Sequence, residues 1–73
     1  MDEKTIMKDY MVTKLAMLLI ENKEVSTMTQ ALNLVINSDT YQRVLNDHTA
    51  LYFQSPRYVY EFLNNELHLG KVG

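Results

Sequence analysis

Leu15, Ala16, Met17, Leu18, Leu19 and Ile20 form an unbroken apolar run inside a stretch with helical spacing. Successive helical residues point about 100° apart, so six in a row face every direction around the axis. A chain of 73 residues can cover one face of such a helix with its own remaining segments. Covering every face calls for a partner. A domain this small buries only about 60 % of its unfolded surface. Small domains commonly gain stability from disulfides, metals or oligomerisation. This chain has no cysteine, which removes disulfides and thiolate metal sites and fits a cytoplasmic protein. Oligomerisation is the route left.

The rest of the sequence reads as further helices. Residues 4–22 form the first: Ile6, Met7, Tyr10, Met11, Leu15, Leu18 and Leu19 follow helical spacing, and Met17 and Ile20 broaden the stripe. Asp2 and Glu3 suit its N-terminus and Lys23 its end. Thr27 with Gln30 has the form of a capping box. It predicts a second helix over 28–37, with Met28, Ala31, Leu32, Val35 and Ile36 on its apolar face and Asn37-Ser38 ending it. Asp39 with Gln42 is another cap-like pair, opening a short third helix over 40–47 on which Tyr41, Val44, Leu45 and His48 share a stripe. Residues 49–54 admit either an irregular connector or a helical turn. Ser55-Pro56 is a strong helix start for a fourth helix over 56–68. Val59, Phe62, Leu63 and Leu67 form its buried stripe. Tyr58 and Tyr60 flank it as half-buried aromatics with wet hydroxyls, and Gly70 stops it. Two glycines and one proline argue against long loops and turn-rich sheets. The expectation is one helical domain over residues 1–73, all-α, folded as a compact four-helix bundle.

Charge and motifs narrow the function. The net charge of −2 is spread along the chain, so no face is basic enough to hold nucleic acid unspecifically. The first residues, Met1 to Lys4, are mixed in sign and no small-residue cleavage site follows Ile20, so no secretory signal is expected. The apolar run is far short of the roughly 20 residues that span a bilayer. His48 and His68 have no second histidine or cysteine at ligand spacing, and each reads as a structural or surface residue. The carboxylates lie on polar faces near Lys or Arg, and no pair is placed for acid–base work. There is no Gly-rich phosphate loop and no Gly-x-Ser-x-Gly. The chain is expected to be a non-enzyme with no catalytic residue, no cofactor and no metal. Met7, Met11 and Met17 on the first helix fill a core or offer an adaptable surface to a partner helix.

Two stretches resemble known proteins. Ala31, then Val35 to Asn46, resembles a helix-turn-helix of the lac-repressor type, Ala-x-x-x-Gly-Val-Ser-x-x-Thr-Val-Ser-Arg-Val-x-Asn, with Val35 in place of the turn glycine. That resemblance implies a DNA-reading helix carrying Gln42, Arg43 and Asn46, side-chain types that reach base edges. Two short amphipathic helices joined by a polar turn produce the same pattern. Residues 51–55 also resemble the end of a protease-tag recognition sequence, but Thr49 stands where the required acid belongs and the segment runs into a patterned helix. Over about residues 10–67 the chain is similar to a family of short all-helical bacterial proteins. The similarity is carried by Leu51, Tyr52, Ser55, Pro56, Tyr58, Val59 and Tyr60. Relatives encoded beside toxin-like proteins imply a small partner-binding role; the resemblance assigns no functional residue.

These readings converge on a cytoplasmic accessory protein that works by protein–protein contact. It is expected to form a homodimer through Ile6, Tyr10, Met17 and Ile20 of the first helix and to bind a larger bacterial protein. Neither nucleic acid nor membrane is the expected partner. The alternative is a dimeric helix-turn-helix regulator reading DNA through Gln42, Arg43 and Asn46.

Overall fold

Asp2 opens the first helix by accepting a hydrogen bond from the Thr5 backbone N–H at 2.8 Å, which satisfies one of the donors a helix start leaves free. In the computed structural model, which describes residues 2–70, the elements are α1 (Glu3–Glu21), α2 (Met28–Ile36), α3 (Asp39–Leu45), a short 3-10 turn (Leu51–Phe53) and α4 (Pro56–Leu69). The described residues are all-α with four α-helices, as the apolar spacing predicts. No strand occurs among the described residues.

Helix α1 is central and packs against α2, α3, the 3-10 turn and α4. It buries Met11, Leu15, Ala16, Leu18 and Leu19. The other elements supply Ala31 and Val35 (α2), Val44 (α3), Leu51 and Tyr52 (the turn), and Val59 and Leu63 (α4) to the same core. The helix ends in a full Schellman arrangement, in which the Lys23 N–H donates to Ile20 O at 3.0 Å and the Glu24 N–H to Leu19 O at 2.9 Å. Lys23 occupies the left-handed position, φ 62°, where glycine is the usual residue. The Asn22 side chain also donates to Leu18 O at 2.8 Å, and Asn37 repeats the device on Asn33 O at the end of α2.

The expected cap of α2 is present. The Gln30 N–H donates to Thr27 Oγ1 at 3.2 Å, and Gln30 Oε1 accepts from Ser26 N at 3.1 Å, one residue before the cap itself. Ser55 likewise caps α4 through the Tyr58 N–H, and Gly70, at φ 72°, closes it.

The third helix departs from expectation at both ends. Ser38, not Asp39, is its cap: Ser38 Oγ accepts from Tyr41 N at 3.0 Å and donates to Val35 O at 2.6 Å. Asp39 is already helical. The reason lies 27 residues downstream. The Glu66 carboxylate, on α4, accepts from the Asp39 N–H at 2.7 Å, the Thr40 N–H at 2.9 Å and the Thr40 hydroxyl at 2.8 Å. The helix stops at Leu45 rather than 47, because the Thr49 hydroxyl donates to the carbonyl oxygens of Arg43 and Asn46. His48 therefore lies beyond the helix, exposed in the following turn, and not on an apolar stripe. Residues 49–54 resolve into the 3-10 turn, entered through Ala50 in the left-handed region at φ 53°.

Two substitutions check these ends. Thr27→Ala should destabilise the fold by about 1 kcal/mol, read as a lower midpoint in urea. Glu66→Ala should cost more, about 1.5–3 kcal/mol, because it removes bonds made by a charged group; Glu66→Gln, which keeps one acceptor, should fall between. A Glu66→Ala protein as stable as the parent would show that α3 needs no anion at its start.

Candidate interaction surface

Burying so much of α1 leaves one strip of it uncovered. Ile6, Tyr10 and Met17 are 53 %, 58 % and 46 % exposed. They lie within about 40° of one another around the helix, since positions four and eleven apart nearly coincide at 3.6 residues per turn. Three of the four residues expected at a dimer surface, Ile6, Tyr10 and Met17, are thus exposed on one side of α1. Ile20, the fourth residue expected there, is half-buried: it packs partly against the core and is only partly exposed. It sits at the edge of the strip, where the α1 surface turns inward. Met7 and Met11 face the core side, so the methionines of α1 divide between core and surface.

The segment leading into α4 builds one wall beside the strip. In the 3-10 turn, successive side chains step by about 120°; Leu51 and Tyr52 point inward and Phe53 points out, 62 % exposed. The Phe53 ring lies 4.7 Å, centre to centre, from that of Tyr52. A cleft of about 350 Å³ runs between Ile6 and Tyr10 on α1 and Phe53 and Pro56 opposite. A second cleft shares Tyr10 and Pro56 with it and continues past Lys14 and Met17 to Glu21 and Arg57. Together they make a furrow along α1 with an apolar upper half and a charged lower end, where Arg57 and Glu21 approach to 3.8 Å. Lys14 places its ammonium 5.9 Å from the Tyr10 ring centre, a favourable cation–aromatic distance. On the opposite flank, Asp9, Val12 and Thr13 face Ile36, Tyr41 and Leu45 across a smaller cleft of about 260 Å³.

Sequence reasoning missed the walls. Phe53 lies in a turn too short to carry a period, and Ile36 and Leu45 read as core residues of their helices although they are 47 % and 38 % exposed.

The residues of the alternative reading are also in place to be described. Gln42 and Arg43 are exposed on α3, and Asn46 is its C-cap. Asn46 is engaged locally, its side-chain oxygen accepting from the His48 N–H at 2.8 Å. Val35, at the position of the family's turn glycine, is fully buried inside α2, and the turn comes two residues later at Asn37-Ser38. The N-terminus of α3, which would meet phosphate in a recognition helix, is occupied by the Glu66 carboxylate.

Several titratable groups pair among themselves. Asp47 binds Lys8 at 2.9 Å and Lys4 at 3.7 Å. The Lys8 hydrogen bond holds the Asp47 carboxyl below its ordinary value and raises Lys8 in return. His68 Nε2 lies 2.7 Å from Glu24 Oε1. Tyr60 differs from expectation: its hydroxyl is buried, not wet, and has no hydrogen-bond partner among the described residues. Burial first, and the nearby Glu24 charge second, raise its pKa. Among the described residues no three His, Asp or Glu side chains gather as metal ligands, and no helix is long and apolar enough to cross a membrane. A scan against protein-family models and searches of curated proteins and of solved structures return no match to this chain.

An orphaned buried hydroxyl costs about 1–3 kcal/mol of desolvation. Tyr60→Phe should therefore leave the protein as stable as the parent or slightly more so by thermal melting. A loss of more than about 1 kcal/mol would mean that the hydroxyl has a partner.

Proposed function

We propose that this chain is a small accessory protein that acts by protein–protein contact and self-associates through the exposed face of α1. The observation that carries this reading is the strip Ile6, Tyr10 and Met17 with Phe53 beside it, large apolar groups left about half exposed or more. Contiguous apolar patches of this kind mark interaction sites on soluble domains. Covering the exposed half of each such side chain is worth about half of the roughly 1.5–3 kcal/mol of full burial, and over the whole strip that is a large share of the stability a 73-residue chain can have. A closed two-fold pair covers the patch with itself.

The reading assigns no catalysis. Asp47, Glu66, Glu24 and Glu21 each lie against a partner within the chain, Lys8, α3, His68 and Arg57 respectively. A larger bacterial protein as the eventual partner follows from the family resemblance of residues 10–67, and the dimer is the unit that would meet it.

Sedimentation equilibrium at micromolar concentration tests the self-association. The parent should run at twice 8.5 kDa, and Tyr10→Glu with Met17→Glu should run as a folded monomer with unchanged helical circular dichroism. These two residues are chosen over Ile20, whose replacement by a charge would injure the core. A parent that stays monomeric at tens of micromolar would overturn the reading.

A further inference from the structure

We propose that two copies pair through α1 in parallel, about a two-fold axis running along the helices, with Asp9 of each copy set against Lys14 of the other. This rests on the self-association reading and adds its geometry. Ile6, Tyr10, Thr13, Met17 and Ile20 follow one another at steps of four, three, four and three. That is the repeat on which two helices lie side by side, with each apolar side chain entering a gap in the facing helix. The first four are exposed, and half-buried Ile20 closes the strip.

The charges flanking the strip choose the orientation. Asp9 lies on one flank and Lys14 on the other. Asp9 is exposed and makes no ion pair among the described residues. The Lys14 ammonium sits over the Tyr10 ring rather than against a carboxylate. Flanking charges of this kind set the direction in which paired helices run. In a parallel pair opposite flanks face each other, and Asp9 meets the partner's Lys14 twice over. In an antiparallel pair that keeps the strip in contact, Tyr10 would face the partner's Ile20 and Thr13 the partner's Met17. Like flanks then meet, in this register and in the one that sets Ile6 against Met17 and Tyr10 against Thr13, so Asp9 never reaches the partner's Lys14.

The body is large enough to offer such a contact to a second copy. A stable interface takes about 800 Å² from each partner, a sixth of the 4787 Å² surface of this chain. On a body of 32 × 23 × 19 Å that is one broad side. The strip supplies the middle of such a contact. Phe53 on one flank, and Ile36 and Leu45 on the other, supply apolar surface at its margins.

The chain's lack of cysteine makes the test clean. Thr13 is exposed at the centre of the strip, so in a parallel pair it faces its own copy. Thr13→Cys should form a covalent dimer on mild oxidation of the full-length protein at micromolar concentration, and Asp9→Cys, on the flank, should not. Asp9→Lys alone and Lys14→Glu alone should each weaken the dimer about tenfold by sedimentation equilibrium. The doubly reversed protein, Asp9→Lys with Lys14→Glu, should recover parental affinity. A dimer that neither cross-links at position 13 nor responds to the reversals overturns the parallel register and leaves self-association standing. A parent that is monomeric overturns both.

Discussion

The apolar circumference of α1 is the constraint to which the other elements answer. Met11, Leu15, Ala16, Leu18 and Leu19 spread round well over a third of the helix. No single neighbouring helix can cover that arc, because a helix touches another along one stripe. Three directions of approach are needed, and the chain provides them: α2 from one side, α4 from another, and the 3-10 turn with α3 closing the gap between. The strip of Ile6, Tyr10 and Met17 is what remains when every described element has been placed. Its exposure does not come from poor packing, since Leu15, Leu19, Val35, Val44, Val59 and Leu63 are all at 0 % exposure.

Helix α3 shows how a weak element is held in such a body. Seven residues are too few for a helix to persist alone in water. It is anchored by Val44 and Thr40 in the interior and by Glu66 at its N-terminus. Carboxylate, helix dipole and two backbone donors meet at one place. The bond ties α3 to α4 directly, so the two helices that contribute least to covering α1 support each other. It also makes the start of α3 a structural joint, with its anion supplied from inside the chain.

Much of this fold was legible in the residues because its caps are written locally. Asp2, Thr27, Ser55-Pro56 and Gly70 each act within four positions of where they stand, and α1, α2 and α4 begin and end within one residue of expectation. What was not legible depends on distant partners. Ser38 and Asp39 are both good cap residues, and Glu66 decides between them from 27 positions away. His48 keeps helical spacing with Val44, but the Thr49 hydroxyl ends the helix before it. On the surface, periodicity separates apolar from polar faces but cannot tell two apolar faces apart, which is why Ile20 was placed with Met17. The Tyr60 hydroxyl was expected to be wet because no local pattern reports what the end of α1 lays over it.

The turns carry a different consequence. Lys23 and Ala50 both hold left-handed backbone without being glycine. Such a conformation costs an ordinary residue roughly 1–2 kcal/mol. Against this, a side chain at the turn restricts the unfolded chain and returns about 0.4–1 kcal/mol. The balance is unfavourable at both positions, so the stability held in reserve by this sequence lies in these two turn residues and not in its filled interior. Evolution or an engineer could draw on it with a glycine at either position, leaving every core contact and the whole exposed face of α1 untouched.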